Sequence, residues 1–309
     1  MKKISLVTMV LAVACLFAAC TKEGAFNPKE KISKVYKSST SAYTYAGVTT
    51  TNETAKYLNQ LWNWDGKTVT SINRYNSDGN LTYTINFTYD GKQLTRMQEA
   101  GSENYTEFVY DGSTLTKYNT YYGTTLEQSA TVTHDGKKIV QIDVVNYDND
   151  KAKSPRYMEY MQTLMQVVMP VYTEKTEQML STVAAKGNST YTVKFEWDGK
   201  NVSKITETGN DGDGYTIEYT YDEMKNPYQG FLYALAEEAA AFGSKNNVTS
   251  EKYTSTYTYL GQTLTETETV NYTYEYDGKW PITRTNTRSE SESSYSYTYT
   301  AVVYYEYAD

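Results

Sequence analysis

Few residues of this chain have side chains that could perform catalysis or hold a metal ion. The 309 residues include one histidine and two cysteines, which excludes a multi-histidine metal site, a four-cysteine zinc site and a disulfide framework. His134 occupies a position that Trp or Tyr fills in equivalent segments, so we interpret it as a structural residue rather than a general base. Gly-x-Ser-x-Gly, phosphate-loop and Gly-x-Gly-x-x-Gly motifs are absent. We therefore expect no enzyme, no catalytic residue and no cofactor.

One acidic segment has the alternating carboxylates of a calcium loop. It reads Asn210-Asp211-Gly212-Asp213-Gly214, and oxygen ligands spaced in this way can converge on a hard cation. If Gly214 is the glycine of such a loop, the place of its bidentate glutamate falls on Thr220. We favour a hairpin turn, which leaves Asp211 and Asp213 as weak candidates in a chain for which we expect no metal site.

The N-terminus predicts an export signal and a lipid anchor. Lys2 and Lys3 precede a short apolar run that ends in Leu16-Phe17-Ala18-Ala19-Cys20. This ending resembles the lipobox at which bacterial lipoproteins are cleaved and acylated. The resemblance implies a signal peptide over residues 1–19, lipidation at Cys20 and a tether over residues 20–30. Thr21-Lys22-Glu23 follows without an aspartate at the second position, which resembles outer-membrane sorting, with the domain periplasmic or surface-exposed.

The charge of the chain limits its partners. The formal net charge is −8, and it becomes −10 once Lys2 and Lys3 leave with the signal. An acidic chain without a Lys/Arg cluster repels nucleic-acid backbones and anionic lipid surfaces, so we expect no nucleic-acid partner. Attachment to a membrane must then come from the acyl chains.

Composition and an internal repeat predict a β-sheet protein. The chain has 34 Tyr and only 5 Pro, and aromatic residues favour strands. An aromatic-Asp-Gly unit recurs at intervals of about 21 to 25 residues. Its complete and near-complete copies are centred on Asp65, Asp90, Asp111, Asp135, Asp198 and Asp277, with Asp222 as a degenerate copy.

Each copy predicts a β-hairpin. Alternating residues run into Asp-Gly, which suits a type I′ turn. Bulky residues stand four and seven places beyond the Asp, as Leu94 and Met97 do after Asp90. In a two-residue hairpin Leu94 would lie opposite Phe87, and Met97 would then have the opposite parity. Either both faces are partly covered or a bulge resets the register; we favour the bulge, which would also curl the sheet.

Two segments interrupt the repeat with helical patterns. Residues 154–183 begin with Ser154-Pro155 and carry apolar residues at helical spacing, and residues 227–242 end at the glycine Gly243. We therefore predict a mainly β fold, a rolled antiparallel meander or barrel-like sheet of many hairpins, with one or two inserted α-helices. Residues 31–309 would form a single domain.

The motifs resemble two known groups of proteins. The aromatic-Asp units resemble the YD repeats of Rhs-type shell proteins. The lipobox, the Tyr-Asp-Gly-Lys turn and the segments Asn226-Pro227-Tyr228 and Lys245-Asn246-Asn247 together resemble an uncharacterised family of secreted Bacteroidetes lipoproteins. That resemblance implies a porin-like β fold and transfers no functional residue. Against a lipid-embedded barrel, Tyr recurs along whole strands and polar residues fill the alternate face.

Surplus tyrosine is the one feature that suggests a function. Exposed Tyr binds sugars or proteins with little loss of side-chain entropy. Because side chains alternate along a strand, Tyr304 should point to the face opposite that of Val303 and Tyr305, away from the core. Tyr121 and Tyr122 are adjacent, so one of them should also point away from the core. These three tyrosines are therefore the candidate binding residues. We predict a binding module for glycan or protein, or a structural one. The alternatives are a carrier of a small apolar ligand inside a rolled sheet and, less favoured, a glycan hydrolase.

Overall fold

The computed structural model describes residues 30–147, 190–209, 214–230, 243–259, 262–291 and 295–308. Within these residues, antiparallel strands form one closed barrel of 16 strands, in which each strand pairs with the next and β16 pairs with β1. The strands are β1 (Ile32–Tyr45), β2 (Val48–Asp65), β3 (Thr68–Tyr75), β4 (Leu81–Asp90), β5 (Gln93–Glu99), β6 (Asn104–Asp111), β7 (Thr114–Tyr122), β8 (Thr125–Asp135), β9 (Lys138–Asn146), β10 (Thr190–Asp198), β11 (Asn201–Gly209), β12 (Gly214–Tyr221), β13 (Val248–Tyr259), β14 (Gln262–Asp277), β15 (Trp280–Ser291) and β16 (Tyr295–Tyr307).

The mainly β meander is confirmed, and the sheet is a closed ring rather than an open roll. The inserted helices are not supported by the described residues. The predicted helix at 154–183 lies outside them, as do residues 231–242 of the second, while residues 227–230 form a turn. Among the described residues, no helix is long and apolar enough to cross a membrane.

The hairpin turns differ in type from the sequence prediction. Asp90 pairs with Gln93, so Gly91 and Lys92 are the central residues of the turn. Only the glycine has a positive φ, 60° at Gly91. Positive φ at the first central residue alone is the pattern of a type II′ turn, not of the predicted type I′. Glycine is needed there because it adopts this conformation without a steric penalty.

The predicted bulge is confirmed after each of the complete Asp-Gly turns. The register between β4 and β5 runs Asp90 with Gln93, Tyr89 with Leu94, Thr88 with Arg96 and Phe87 with Met97. Thr95 is the extra residue, and its hydroxyl donates to the carbonyl of Thr88 at 3.1 Å. Leu94 therefore faces Tyr89, and the prediction that it faces Phe87 was wrong. The extra residue places Leu94 and Met97 on the same face.

That shared face is the inside of the barrel. In β4, Ile85 and Phe87 are buried, whereas Asn86 between them and Thr88 after them are exposed. Buried apolar side chains from β1 to β11 and from β16 form one cluster. Strands that lie all round a ring can bury their side chains together only on its inner face. The apolar core thus fills the barrel near its Asp-Gly turns.

Aromatic side chains connect neighbouring hairpins at this end of the barrel. In most copies the aromatic residue before the Asp donates to the backbone carbonyl that stands four places after the Asp of the previous copy, whereas Tyr276 donates to the carboxylate of Asp222. The hydrogen bonds run from Tyr89 to Val69 (2.9 Å), Tyr110 to Leu94 (2.9 Å), Trp197 to Ile139 (2.8 Å) and Tyr221 to Val202 (2.5 Å), and His134 Nε2 contacts the Leu115 carbonyl at 2.8 Å. At the seam, Trp64 Nε1 donates to the Ile32 carbonyl and the Tyr307 hydroxyl to the Pro281 carbonyl. We call this set the aromatic ladder.

The connection between β12 and β13 covers the same end of the barrel. The backbone amide of Asn226 donates to the carbonyl of Lys245 at 3.0 Å, which joins the two segments on which the family resemblance rests. Tyr228 is buried, and its ring centroid lies 6.2 Å from that of Trp62 and 6.0 Å from that of Tyr305. These motif residues therefore have a structural role, which is to cover this end of the barrel.

At the opposite end the barrel wall is uneven. Pairing of β2 with β3 ends at Gln60 and Arg74, and pairing of β14 with β15 ends at Asn271 and Thr287. Beyond these points four strands continue together: residues 39–45 of β1, 48–56 of β2, 288–291 of β15 and 295–301 of β16. We call this four-stranded extension the raised sheet.

The aromatic ladder gives a stability prediction. Tyr110→Phe removes the hydroxyl that satisfies the Leu94 carbonyl, and the loss of one such hydrogen bond lowers the free energy of unfolding by about 1–2 kcal/mol. Urea denaturation measures this loss. Tyr43→Phe is the matched control, because Tyr43 is exposed and outside the ladder. Equal effects of the two substitutions would contradict a stabilising ladder.

Candidate ligand-binding face

The raised sheet gathers tyrosines on one face. Tyr43 and Tyr45 of β1 lie opposite Tyr297 and Tyr295 of β16, and Tyr299 lies opposite Ser41. All these tyrosines have the parity of Val303 and Tyr305 and therefore continue the inner face of the barrel. We call this set the tyrosine face; its members are Tyr43, Tyr45, Tyr295, Tyr297 and Tyr299.

The tyrosine face is partly open to solvent, and the strand beyond β2, β3, is short and ends at Tyr75. Tyr43 is 45% exposed and Tyr45 is 57% exposed. The rings of Tyr43 and Tyr295 stack with their centroids 6.1 Å apart and an interplanar angle of 28°. Val48, 69% exposed, lies opposite Tyr45 on β2 and extends the apolar surface.

The other face of the raised sheet carries mainly small hydroxyl residues, together with Glu53 and Lys56 of β2. Thr44 and Thr49 hydrogen-bond across β1 and β2 at 2.8 Å, and Thr287 and Thr300 do so across β15 and β16 at 3.2 Å. The sheet is therefore aromatic on one side and hydroxylated on the other. Rings with polar tips on a two-residue repeat form a flat platform on which an extended ligand can stack while it hydrogen-bonds to the hydroxyls.

Three cationic side chains lie on the same inner face, nearer the barrel core. Lys37 of β1 is opposite Val303 of β16, which is in turn opposite Arg284 of β15. Arg74 of β3 is opposite the buried Gln60 of β2. We call Lys37, Arg74 and Arg284 the cation cluster.

The charge of Lys37 is electrostatically unfavourable, whereas the tyrosines around Arg284 raise the pKa of that arginine. The pKa of Lys37 falls from its ordinary 10.5 to about 8, mainly because the ammonium is desolvated and further because Arg74 and Arg284 repel it. Burial also lowers the pKa of Arg74, although the Tyr57 and Tyr83 phenols oppose the effect. The charged groups that shift Lys37 are thus both cations.

Several charges on this wall interact with one another or with tyrosine rings. Arg288 Nε lies 3.3 Å from a carboxylate oxygen of Glu268. The hydroxyl of Tyr272 donates to Glu251 Oε2 at 3.1 Å, and the Arg284 guanidinium lies 5.1 Å from the centre of the Tyr272 ring. Burial raises the pKa of Glu251, while Arg284 and the Tyr272 hydrogen bond act in the opposite direction. Arg284 Nε is buried without a hydrogen-bond acceptor among the described residues.

The structure separates Tyr121 and Tyr122, which the sequence analysis took together. Tyr121 stacks on Tyr105 with ring centroids 4.9 Å apart, and the Arg96 guanidinium lies over the Tyr105 ring, 3.6 Å from its centroid. Tyr122 lies opposite Asn104, which is buried on the inner face. Adjacent residues of a strand point to opposite faces, so the two tyrosines do not form one site.

Tyr304 lies on the outer face, as its parity predicts. It is opposite Tyr36, and the Lys56 ammonium lies 4.3 Å from the centre of the Tyr304 ring and 4.7 Å from that of Tyr36. The lysine therefore occupies the space above both rings. β16 and β7 are seven strands apart in the ring, so the structure does not bring Tyr304 together with Tyr121.

Other predicted residues fall outside what the structure describes or have structural roles. Cys20, Asp211 and Asp213 lie outside the described residues. In the described part of the chain, no group of three or more His, Cys, Asp or Glu side chains could hold a metal ion. His134 belongs to the aromatic ladder through its contact with the Leu115 carbonyl.

Sequence reasoning missed both the tyrosine face and the cation cluster. Alternation along β16 places Tyr295, Tyr297 and Tyr299 on the same face as Tyr305, so the sequence predicts that they are buried as Tyr305 is. It does not show which strands lie beside β16 or how long they are. Arg74 could have been found. Once the bulge aligns Val69 with Ile72, the next inward position is Arg74.

Comparisons with known proteins concern the fold. No protein-family model and no curated protein matches the chain. A solved porin-like protein from Bacteroides vulgatus ATCC 8482 is similar over 91% of this chain and 99% of its own, with a TM-score of 0.46 and 9% identity. A second, from Bacteroides uniformis ATCC 8492, covers 93% of this chain and 100% of its own, with a TM-score of 0.37 and 14% identity.

Lys37→Met tests the electrostatic penalty. The pKa of Lys37 is about 8 in the folded state and 10.5 in the unfolded state. Below pH 8 the lysine is charged in both states, and its charge destabilises the folded state. Between pH 8 and 10.5 only the folded state loses the proton, so the free energy of unfolding rises with pH. At neutral pH the substitution is expected to raise the free energy of unfolding by on the order of 3 kcal/mol and to remove this rise.

Urea denaturation across this pH range measures both effects. Lys34→Met is the matched control, since Lys34 is on the same strand but faces outward, 3.4 Å from Glu306. A destabilised Lys37→Met protein, or an unchanged pH dependence, would contradict the assignment.

Proposed function

We propose that this protein is a non-enzymatic glycan-binding module, anchored to the bacterial outer membrane by acyl chains on Cys20. The observation that carries the proposal is the tyrosine face, a set of stacked and partly exposed rings on two neighbouring strands. Such rings supply contact area with little loss of side-chain entropy, and their hydroxyls can hydrogen-bond to a sugar.

The size of the face favours a glycan over a protein partner. A stable protein interface buries about 800 Å² on each partner, whereas the exposed large hydrophobic residues of the described surface are mostly scattered over distant strands. Tyr43, Tyr45 and Val48 are clustered, while the others stand apart, namely Leu81, Val109, Tyr147, Leu264 and Ile282. A strip two strands wide suits a narrow, extended ligand.

The outward side chains favour a barrel that stands beside the membrane. A lipid-embedded barrel needs an apolar outer band. Outward positions are instead occupied by polar residues, as Lys194 and Glu196 show in β10 and Asn271, Thr273 and Glu275 in β14. Attachment through the lipid on Cys20 is compatible with this surface, because acyl chains hold a soluble domain without burying its strands.

The inner face offers less support for a carrier of an apolar ligand. Its apolar residues near the Asp-Gly turns are packed against one another, with Val69, Leu94 and Leu115 inaccessible to solvent. Above this core the described wall is lined by charged and tyrosine side chains. A site on that wall would receive a polar ligand.

Tyr297→Ala tests the glycan-binding proposal. The substitution removes a ring from the centre of the tyrosine face, and the affinity for a glycan found on an array should fall about tenfold, because one stacked aromatic contributes about 1–1.5 kcal/mol. Isothermal titration calorimetry measures the change. Tyr304→Ala and Tyr121→Ala are matched controls that lie on the outer face and should bind as the wild type does.

Two results would overturn the proposal. One is equal weakening by Tyr304→Ala or Tyr121→Ala, which would move the site to the outer face as the sequence analysis predicted. The other is the absence of glycan binding together with self-association that Tyr297→Ala abolishes, since the tyrosine face would then contact a second copy of the chain. Size-exclusion chromatography over a range of concentrations detects that outcome.

Cys20→Ser tests the anchor. Serine has no thiol to acylate, so the variant should lose incorporation of a radiolabelled fatty acid and move from the membrane fraction to the soluble fraction. Cys15→Ser is the matched control and should remain in the membrane fraction. Retention of the Cys20→Ser protein in membranes would contradict lipid anchoring.

A further inference from the structure

The end of the barrel that carries the Asp-Gly turns is also the end at which β1 begins. The indole of Trp64, which precedes Asp65, donates a hydrogen bond of 2.7 Å to the carbonyl of Ile32, the first residue of β1. Glu30, where the described chain starts, therefore lies at the Asp-Gly end, ten positions after Cys20. Acyl chains on Cys20 would hold this end of the barrel close to a bilayer.

The length of the connection to Cys20 excludes the inverted orientation. Ten residues of extended chain span at most about 35 Å. β2 runs from Val48 at the raised sheet to Asp65 at the turns, and its 18 residues cover about 40 Å of barrel height if the strands are tilted by about 40°. The connection is thus too short for the raised sheet to rest on the membrane that holds the anchor.

Lysines occupy the tips of the Asp-Gly turns. The residue after the glycine is lysine in five of the six complete copies. The β12–β13 connection adds two more, since the backbone amide of Lys245 donates to the Lys200 carbonyl at 3.1 Å and that of Lys225 to the Lys279 carbonyl at 3.0 Å. We call this set the lysine rim; its members, all exposed, are Lys67, Lys92, Lys137, Lys200, Lys225, Lys245 and Lys279.

The same turns also carry exposed carboxylates. Asp90 is the last paired residue of β4, and Lys92 stands beyond it in the turn. The other complete copies have the same order, so the Asp side chains lie just behind the rim. A zwitterionic phospholipid headgroup carries a phosphate and an ammonium group and can pair with both signs of charge. A purely anionic surface would instead repel the aspartates of this acidic chain.

Lysines on the outer wall have a different setting. Lys34 lies 3.4 Å from Glu306 of the neighbouring strand, and Lys252 lies 3.6 Å from Glu218. Rim lysines are at turns that project beyond the last strand pairs, so they meet a surface that approaches this end first. The Lys225 ammonium also lies 4.6 Å from the centre of the half-buried Trp280 ring, and Trp beside a cation suits the headgroup region of a membrane.

We propose that the lysine rim docks on the zwitterionic phospholipid headgroups of the membrane that holds the anchor, so that the tyrosine face points away from the bilayer. The orientation rests on the proposed anchoring at Cys20 and adds a contact surface to it. Rim ammonium groups contact lipid phosphates, and the turn aspartates contact lipid ammonium groups. Exposed ion pairs are individually weak, but the anchor keeps the rim at a high effective concentration near the headgroups.

Spin labels on single cysteines measure the orientation. The mature chain has one cysteine, Cys20, which the lipid occupies, so an introduced thiol is labelled alone. Ser113→Cys labels the complete turn that lacks a lysine, Thr131→Cys the outer wall and Thr51→Cys the raised sheet, and all three positions are exposed. The untagged acylated protein is reconstituted in vesicles of phosphatidylcholine and phosphatidylethanolamine that contain a nickel-chelating lipid.

The expected result is a gradient along the barrel. Nickel at the headgroups should relax the Ser113→Cys label strongly, the Thr131→Cys label weakly and the Thr51→Cys label not detectably, because the raised sheet stands about 40 Å from the rim. Equal relaxation of the first and last labels, or strongest relaxation at Thr131→Cys, would overturn the orientation.

Variants assign the docking to the rim. Lys92→Gln combined with Lys137→Gln removes the lysines of the two turns that flank Ser113 and should lower the relaxation of that label about threefold, since each exposed ion pair contributes little. Lys194→Gln combined with Lys204→Gln is the matched control, because it removes the same charge from the outer wall, and it should leave the relaxation unchanged. Fractionation checks that both variants stay in the membrane.

The outcomes separate this contact from the proposed function. If Lys92→Gln with Lys137→Gln changes nothing, the connection alone orients the barrel and rim docking is wrong, while the anchor and glycan binding stand. Relaxation of the Ser113→Cys label only in phosphatidylglycerol vesicles would contradict a zwitterionic partner. If the wild type is not acylated and is absent from membranes, the anchoring fails and the docking fails with it.

Discussion

Aromatic side chains before most of the Asp-Gly turns donate hydrogen bonds to backbone carbonyls of the preceding hairpin, and the rest of the barrel depends on these contacts. The bulge after each turn takes a residue out of the regular pairing, as at Thr95, and the ladder bond from Tyr110 to Leu94 ties the neighbouring strands together in that region. The same bulge places Leu94 and Met97 on one face. The motif therefore curves the sheet, satisfies a backbone carbonyl and builds the inner core at once.

A ring closed in this way leaves the two ends of the barrel with different properties. At the Asp-Gly end, the core and the buried Tyr228 fill the interior, and the β12–β13 connection covers it. At the other end the strands differ in length, and the apolar core of the described residues does not extend along their full length. The raised sheet lies at that end, where Tyr43 and Tyr45 are exposed and Tyr295, Tyr297 and Tyr299 are partly buried.

The charges on the inner wall follow the same division. Glu251 and Arg284 lie among buried tyrosines, where an unpaired charge would be expensive, and they interact with each other and with Tyr272. Lys37 and Arg74 are at the boundary between the core and the open wall, where water still reaches them. Desolvation, and to a smaller extent repulsion by the arginines, makes the charge of Lys37 unfavourable there. On the inner face, the residues near the Asp-Gly turns stabilise the fold, and the tyrosine face at the opposite end is the proposed binding surface.

The sequence by itself determined the hairpins, the bulges, the mainly β fold and the outward parity of Tyr304, since all of these follow from local alternation and turn chemistry. Only the tertiary structure decided that the sheet closes, that Tyr121 and Tyr304 are far apart, and that Tyr43 and Tyr45 meet Tyr295 and Tyr297. The pairing of β1 with β16 joins residues that are about 250 positions apart, and parity within one strand cannot specify the partner or the height of its neighbours. For the same reason, Lys37 and Arg284 became neighbours only when the ring closed.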